Sequence, residues 1–148
     1  MPREFPQSPL VGVGAVVLRD DKVLLIRRAH PPRQGEWSLP GGLQKLGETV
    51  YEAAAREVME ETGIAIQPLG IVDVVDLIER DGEYLNSRVR WHYTLIDVYA
   101  LWQAGEPRPG TDAEEVSWVP ISNVRSMVGW GETERIVEQA YDMCKMPR

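Results

Sequence analysis

Three glutamates with helical spacing stand near the end of the segment 41–64. Glu57, Glu60 and Glu61 are three and four positions apart, so a helix would carry them on one side. Like charges at this spacing repel, and the negative end of the helix dipole adds to the cost. A divalent cation such as Mg²⁺ would offset both effects and leave coordination positions for water and phosphate. The simpler alternative is an acidic face that is only solvated.

The helix that must position these glutamates is predicted over 48–62. Its centre is the run Ala53-Ala54-Ala55, which favours helix, and Gly63 fits the residue just past a helix end. Five residues fall in one sector at about 100° per residue. They are Tyr51, Ala54, Ala55, Val58 and Met59. The pattern predicts a packed flank with a carboxylate edge beside it.

Strands surround this helix in the sequence. Two nearly continuous apolar runs, 11–18 and 23–28, flank a turn at Asp20-Asp21 and predict strands covered on both faces. Further strands are predicted at 71–80, 88–102 and 116–120, and an amphipathic helix at 132–144. Proline and glycine indicate loops at 29–42 and 104–115. We expect one mixed α/β domain over 1–148, without internal repeats.

Composition narrows the class of protein. The 148 residues have a formal net charge of −7, which argues against stable nucleic-acid binding. The single cysteine, Cys144, allows neither an intrachain disulfide nor a cysteine zinc site. The first residues do not resemble a signal peptide, and no apolar run has membrane-spanning length. We expect a cytoplasmic protein with no membrane association.

The segment 42–64 follows the pattern G-x5-E-x7-R-E-V-x-E-E-x-G-I at every fixed position. This pattern resembles the Nudix box, the signature of Nudix hydrolases, and the similarity extends over roughly residues 10 to 141. The resemblance implies an α/β/α sandwich with a central mixed β-sheet. It also implies Mg²⁺- or Mn²⁺-dependent cleavage of a nucleoside diphosphate linked to another moiety.

The resemblance also implies roles for individual residues. Glu57 and Glu61 match the family's principal metal-binding glutamates, and Glu60 matches a further ligand. The backbone carbonyl of Gly41 matches another metal ligand. Arg56 and Glu48 match a pair that holds the loop against the helix and orients the catalytic glutamates.

The group that accepts the water proton is less defined by the motif. In many Nudix enzymes it is a loop glutamate outside the box, often before a tryptophan-bearing strand. Glu115 resembles that position best, as base or extra metal ligand, and Glu114 is the near alternative. In other members a glutamate of the box has this role.

Substrate choice rests on fewer residues. Arg28 and Arg33 are candidates for phosphate contacts, and Trp37 for stacking or simple packing under the loop. The chain is similar to bacterial ADP-ribose pyrophosphatase-like members, so the leading substrate hypothesis is ADP-ribose or a related nucleoside diphosphate sugar. Members that prefer ADP-ribose often carry a proline well after the box, and Ile71 to Gly105 contains none.

Two alternatives stay open at this point. The first is a house-cleaning pyrophosphatase that acts on (deoxy)nucleoside triphosphates. The second is a non-catalytic nucleotide-sensing module, although sensors usually lose box glutamates and this chain keeps them. The expected partner is a small nucleotide, and a homodimer is compatible with the exposed edges of such a sandwich.

Overall fold

A computed structural model describes residues 2–31, 33–84, 86–110 and 112–145. The strands are β1 Leu10–Arg19, β2 Lys22–Arg28, β3 Trp37–Ser38, β4 Gly41–Leu43, β5 Ala65–Arg80, β6 Val89–Ala104 and β7 Ala113–Pro120. The helices are α1 Val50–Thr62, α2 Val124–Met127 and α3 Gly131–Lys145, and a 3₁₀ turn at Ile121–Asn123 leads into α2. Pro32 and Thr111, which belong to the two predicted loops, lie outside the described residues.

Within the described ranges, the seven strands join one sheet of order β3-β2-β1-β6-β5, with β4 also paired to β1 and β7 to β2. The β1–β6 pair is parallel and the other pairs are antiparallel, so the central mixed sheet is confirmed. β1 lies in the middle and contacts β2 and β4 on one side and β6 on the other.

The two faces of β1 bury alternate residues in separate cores. Val13, Ala15 and Val17 pack with Ala53, Ala54 and Val58 of α1. Val16 and Leu18 pack with Ile136, Val137 and Ala140 of α3. The strand is apolar on both faces because a helix covers each one, and the α/β/α layering is confirmed.

Several boundaries differ from the sequence-based expectation, and β5 begins at Ala65 rather than at Ile71. The loop predicted at 29–42 contains β3 and β4, because their backbones pair with β2 and β1 over long sequence distances. α1 begins at Val50 rather than at Glu48, because Thr49 caps it: its side chain accepts from the Glu52 N–H, and the Glu52 side chain accepts from the Thr49 N–H. β7 begins at Ala113, so Glu114 and Glu115 lie on a strand and not on a loop.

No helix in the described part of the chain is long and apolar enough to cross a membrane.

Candidate active site

The three glutamates of α1 lie in different environments. Glu57 and Glu61 are 8% and 2% exposed, whereas Glu60 is exposed. Compared with the predicted packed flank, the buried side of α1 is therefore shifted so that it includes Glu57 and Glu61. Tyr51 and Met59, which the periodicity placed on the packed flank, are 43% and 47% exposed. Two of the glutamates are thus part of the interior beside the sheet.

Glycines of β4 make room for the two buried carboxylates. The Gly41 N–H donates to Glu61 Oε1 at 2.9 Å. A Cβ on Gly42 would lie 2.5 Å from the Glu57 carboxyl carbon, and one on Gly41 would lie 2.3 Å from the Val13 carbonyl oxygen. A side chain at either position would force the strand away from β1 or from the helix, so close approach requires both glycines.

Arg56 ties the loop before α1 to the glutamates. Its Nε and Nη2 donate to the two carboxylate oxygens of Glu48 at 2.6 and 2.9 Å. Nη1 donates to Glu57 Oε1 at 2.7 Å and to Glu60 Oε2 at 3.3 Å, and Nη2 also donates to the Leu43 carbonyl at 3.0 Å. The planar guanidinium can make these contacts together, which an ammonium cannot. The geometry supports a positioning role for Arg56 and Glu48.

The pKa values of two glutamates in this cluster are shifted in opposite directions. The hydrogen bond from Arg56 lowers the pKa of Glu48 to about 2, helped by the Lys45 N–H. Burial raises the pKa of Glu61 to about 8, the Gly41 N–H opposes this, and the nearby Glu57 adds to it. Glu61 therefore needs either a proton or a nearby cation to be stable in its buried position.

The donor set at this position fits a hard divalent cation. Glu57, Glu60 and Glu61 supply carboxylate oxygens, which Mg²⁺ and Mn²⁺ prefer. In the described part of the chain no three acidic, histidine or cysteine side chains converge in a ready ligand geometry. Arg56 instead holds one oxygen each of Glu57 and Glu60. The chemistry of the residues therefore supports a cation that would share these carboxylates with Arg56.

A cleft of about 220 Å³ opens beside the buried glutamates and runs across the sheet toward α3. Glu57 and Glu61 line one end, and Trp130, Glu132 and Thr133 line the other. Arg28 and Arg33, both predicted to bind substrate, also line it. Burial lowers the pKa of Arg28, and the charge of Glu61 opposes that effect. The cleft thus combines acidic and basic walls within reach of one small ligand.

Other predicted site residues lie away from the cleft. Glu115 is exposed and pairs across β2–β7 with Arg27, whose Nη1 is 3.6 Å from Glu115 Oε1. Glu114 Oε2 lies 3.6 Å from Arg27 Nε. Trp37 is half-buried and packs against the core on the α3 side of the sheet. None of these three lines the cleft.

Sequence reasoning passed over three acidic residues that line the cleft. Asp97, Asp112 and Glu132 come from β6, the segment before β7, and α3. Asp97 had a visible signal, because it is a lone acid in the otherwise apolar stretch Leu95–Ala100. Asp112 and Glu132 had none, since each belongs to a polar, charged stretch.

A family model of the NUDIX domain matches residues 8–139. The chain is 34% identical over 116 residues to an ADP-ribose pyrophosphatase of Methanocaldococcus jannaschii, covering 78% of this chain but only 64% of that relative. It is 48% identical over 126 residues to a MutT-like protein of Streptomyces ambofaciens, covering 83% and 73%. It is 34% identical over 130 residues to a putative 8-oxo-dGTP diphosphatase 2 of Mycobacterium tuberculosis, covering 86% and 84%.

Solved structures share the fold over nearly the whole chain. A MutT NUDIX hydrolase from Burkholderia pseudomallei superposes with a TM-score of 0.67 at 31% identity, covering 90% of this chain and 98% of that one. The NUDIX domain of Shewanella oneidensis NrtR, complexed with ADP ribose, gives 0.72 at 23% identity, covering 95% and 91%. A bifunctional NMN adenylyltransferase/ADP ribose pyrophosphatase from Francisella tularensis, complexed with AMP and a Mn ion, gives 0.63 at 23%, covering 93% and 42%.

Proposed function

The chain belongs to the NUDIX domain family, and from this premise we propose that it is a divalent-metal-dependent pyrophosphohydrolase of nucleoside diphosphates linked to another moiety. The lead substrate is ADP-ribose or a related nucleoside diphosphate sugar. The observation that carries the proposal is the pair of buried carboxylates, Glu57 and Glu61, at one end of a cleft that two arginines also line. The ADP-ribose pyrophosphatase of M. jannaschii supports the choice of substrate.

Each residue has a proposed part in the reaction. Glu57, Glu61, Glu60 and the Gly41 carbonyl would hold the cation, Mg²⁺ or Mn²⁺, which would neutralise phosphate charge and make water a better nucleophile. Arg28 and Arg33 bind the phosphates from the cleft wall. Arg56 and Glu48 hold the loop and the glutamates in register.

The base that accepts the water proton is proposed to be a carboxylate of the box. Glu57 and Glu61 line the cleft, while Glu114 and Glu115 are exposed and face Arg27. A base must come within hydrogen-bond reach of the proton it takes, directly or through one water. This geometry supports a box glutamate, rather than Glu115, as the proton acceptor.

A second candidate activity is the hydrolysis of (deoxy)nucleoside triphosphates to the monophosphate and pyrophosphate. It is favoured by the putative 8-oxo-dGTP diphosphatase of M. tuberculosis, which this chain matches over 84% of that relative's length. The same carboxylates and arginines would serve it, because both reactions break a phosphoric anhydride.

Cytoplasmic location, homodimer formation and one domain over 1–148 remain predictions.

The test is product release from a panel of ADP-ribose, other nucleoside diphosphate sugars, deoxynucleoside triphosphates with 8-oxo-dGTP, and dinucleoside polyphosphates. Each is incubated with Mg²⁺, Mn²⁺ or chelator. We expect metal-dependent AMP release from ADP-ribose, reduced at least about 100-fold in Glu61→Gln because a buried ligand or base is lost. The matched control is Glu138→Gln, which removes an exposed carboxylate of α3 and should leave turnover unchanged.

The other outcomes separate the alternatives. Pyrophosphate release from a triphosphate, with no cleavage of ADP-ribose, would support the second activity. No release from any member of the panel by a folded protein that binds the metal would contradict both activities and favour the sensing module.

A further inference from the structure

A largely buried carboxyl group lines the cleft and has no polar partner among the described residues. Asp97 of β6 is 7% exposed and lines the cleft. Among the residues that the structure describes, no hydrogen bond or ion pair reaches its carboxyl group. A buried polar group is normally paired, and an unpaired one is costly. Asp97 therefore calls for a ligand or water that supplies hydrogen-bond donors.

The neighbouring backbone is built around this carboxyl group. A Cβ on Gly14 of β1 would lie 2.5 Å from Asp97 Oδ1, so any residue larger than glycine would push the side chain away. Gly12, the next β1 residue on that face, also lines the cleft. The space that a side chain would fill is taken by Leu95 Cδ2 at Gly12 and by the Asp97 carboxylate at Gly14.

The charges around Asp97 do not neutralise it. Burial raises the pKa of Asp97 to about 6, the charge of Asp73 adds to the shift, and Arg135 opposes it. Arg135 is engaged elsewhere, since its guanidinium donates to Asp73 at 3.0 Å and to Glu132 at 2.6 Å. Among the described residues no cation pairs with Asp97, so a ligand or water in the cleft is left to supply donors to its carboxyl group.

Sheet register sets the distance from Asp97 to the candidate metal ligands. Asp97 is paired with Gly14, and Gly14 with Gly41, on three adjacent strands. Two strand spacings place the Cα atoms of Asp97 and Gly41 about 10 Å apart. Gly41 in turn donates to Glu61. A nucleotide with its phosphates beside Glu61 would therefore place its next ring near Asp97.

The walls at this end of the cleft suit a ring. Leu39, Val75, Leu95, Trp130 and Ile136 line it with apolar or aromatic surface. A flat or puckered ring can pack on such walls while its polar edge meets a few placed polar groups. The acidic side chains Asp97 and Glu132 favour a ligand ring whose polar edge carries hydrogen-bond donors, and they disfavour an edge that carries acceptors.

We propose that Asp97 is a specificity residue that binds the part of the substrate carrying two adjacent hydrogen-bond donors. The proposal rests on the proposed function and deepens it. A carboxylate accepts such a pair through its two oxygens. Two substrate groups offer this chemistry, the vicinal hydroxyls of a ribose and the N1–H/N2–H₂ edge of guanine.

The first experiment uses the wild-type protein in chelator, with isothermal titration calorimetry as the readout. Ribose 5-phosphate is compared with 2-deoxyribose 5-phosphate, which lacks the vicinal pair, and GMP with IMP, which lacks the amino group. We expect at least about tenfold tighter binding of the complete donor pair in one comparison, as for a hydrogen bond to a charged group. The comparison that shows it identifies the diol or the guanine edge.

The second experiment repeats the titrations with Asp97→Asn. The amide keeps the shape but places a donor opposite one ligand donor, so the preference should fall to about twofold or less. Asp142→Asn removes the same charge from an exposed position of α3 and should keep the wild-type preference. Circular dichroism checks the fold of both, and the wild-type comparison remains decisive if Asp97→Asn does not fold.

Two results would overturn the proposal. One is a wild-type protein that distinguishes neither pair of ligands. The other is a preference that survives in a folded Asp97→Asn variant. Because both readouts are binding without metal, they are independent of the hydrolysis assay. Hydrolysis with no donor preference refutes the role of Asp97 alone, and a donor preference without hydrolysis refutes the proposed function alone.

Discussion

At the scale of single residues, Arg56 has the densest set of polar contacts in the candidate site. It bonds both oxygens of Glu48, one oxygen of Glu57 and the Leu43 carbonyl. Its own pKa is raised from the usual value, first by the hydrogen bond to Glu48, so it stays charged under all working conditions. Its function is to orient acidic ligands rather than to react.

We predict that Arg56→Lys weakens binding of Mn²⁺ about tenfold or more, as loss of a residue that orients metal ligands typically does. An ammonium group cannot form the fork to Glu48 and reach Glu57 together. Isothermal titration with Mn²⁺ measures the effect. Arg125→Lys, at an 85% exposed side chain, is the control. Equal affinities in the two variants would contradict the positioning role.

At the scale of elements, α1 holds the candidate site because both of its ends are well defined. Thr49 and Glu52 close a capping box at the start. Gly63 ends the helix with φ of 76°, a left-handed conformation that glycine adopts most easily. The helix start also determines where Glu48 meets Arg56, since Glu48 directly precedes the cap.

We predict that Thr49→Ala lowers the free energy of unfolding by about 1 kcal/mol, the usual cost of losing such a cap. Urea denaturation followed by circular dichroism measures it. Thr49→Ser keeps the hydroxyl that accepts from the Glu52 N–H and should stay near the wild type. A serine variant as unstable as the alanine variant would show that the methyl group, and not the cap, matters.

At the scale of the whole molecule, the acidic cluster links stability to cations. The protein carries a net charge of −7, and two of its glutamates are buried together at one end of the cleft. A cation that binds only the folded state raises the free energy of unfolding by mass action. A merely solvated acidic face would show only weak screening by salt.

We predict that Mg²⁺ or Mn²⁺ at 100 times its dissociation constant stabilises the protein by about 2.7 kcal/mol. Thermal unfolding across a metal titration measures this, and chelator should reverse it. KCl at matched ionic strength is the salt control, and Glu57→Gln combined with Glu61→Gln is the site control. An equal shift with KCl, or in the double variant, would leave no specific cation site at these glutamates.

Much of this protein follows from local sequence. The box residues, a helix that ends at Gly63, and the strands at 11–18 and 23–28 were readable because apolar periodicity, capping residues and glycine conformations act over a few positions. The family and its sandwich fold followed from the same motif. The predicted boundaries were wrong where pairing with a distant strand determines the element, as at β3, β4 and the start of β7.

Only the tertiary structure decided which acidic residues share the cleft. The sequence places Glu57, Glu60 and Glu61 on one helix side, but packing against β4 buries the first and last and leaves Glu60 exposed. The sequence gives no sign that Asp97 lies beside Gly14, which stands 83 positions earlier, because the parallel β1–β6 register brings them together. It also gives no sign that Glu115 pairs with Arg27 across β2 and β7. Periodicity is a local property, whereas strand register and burial depend on pairing across the whole sheet.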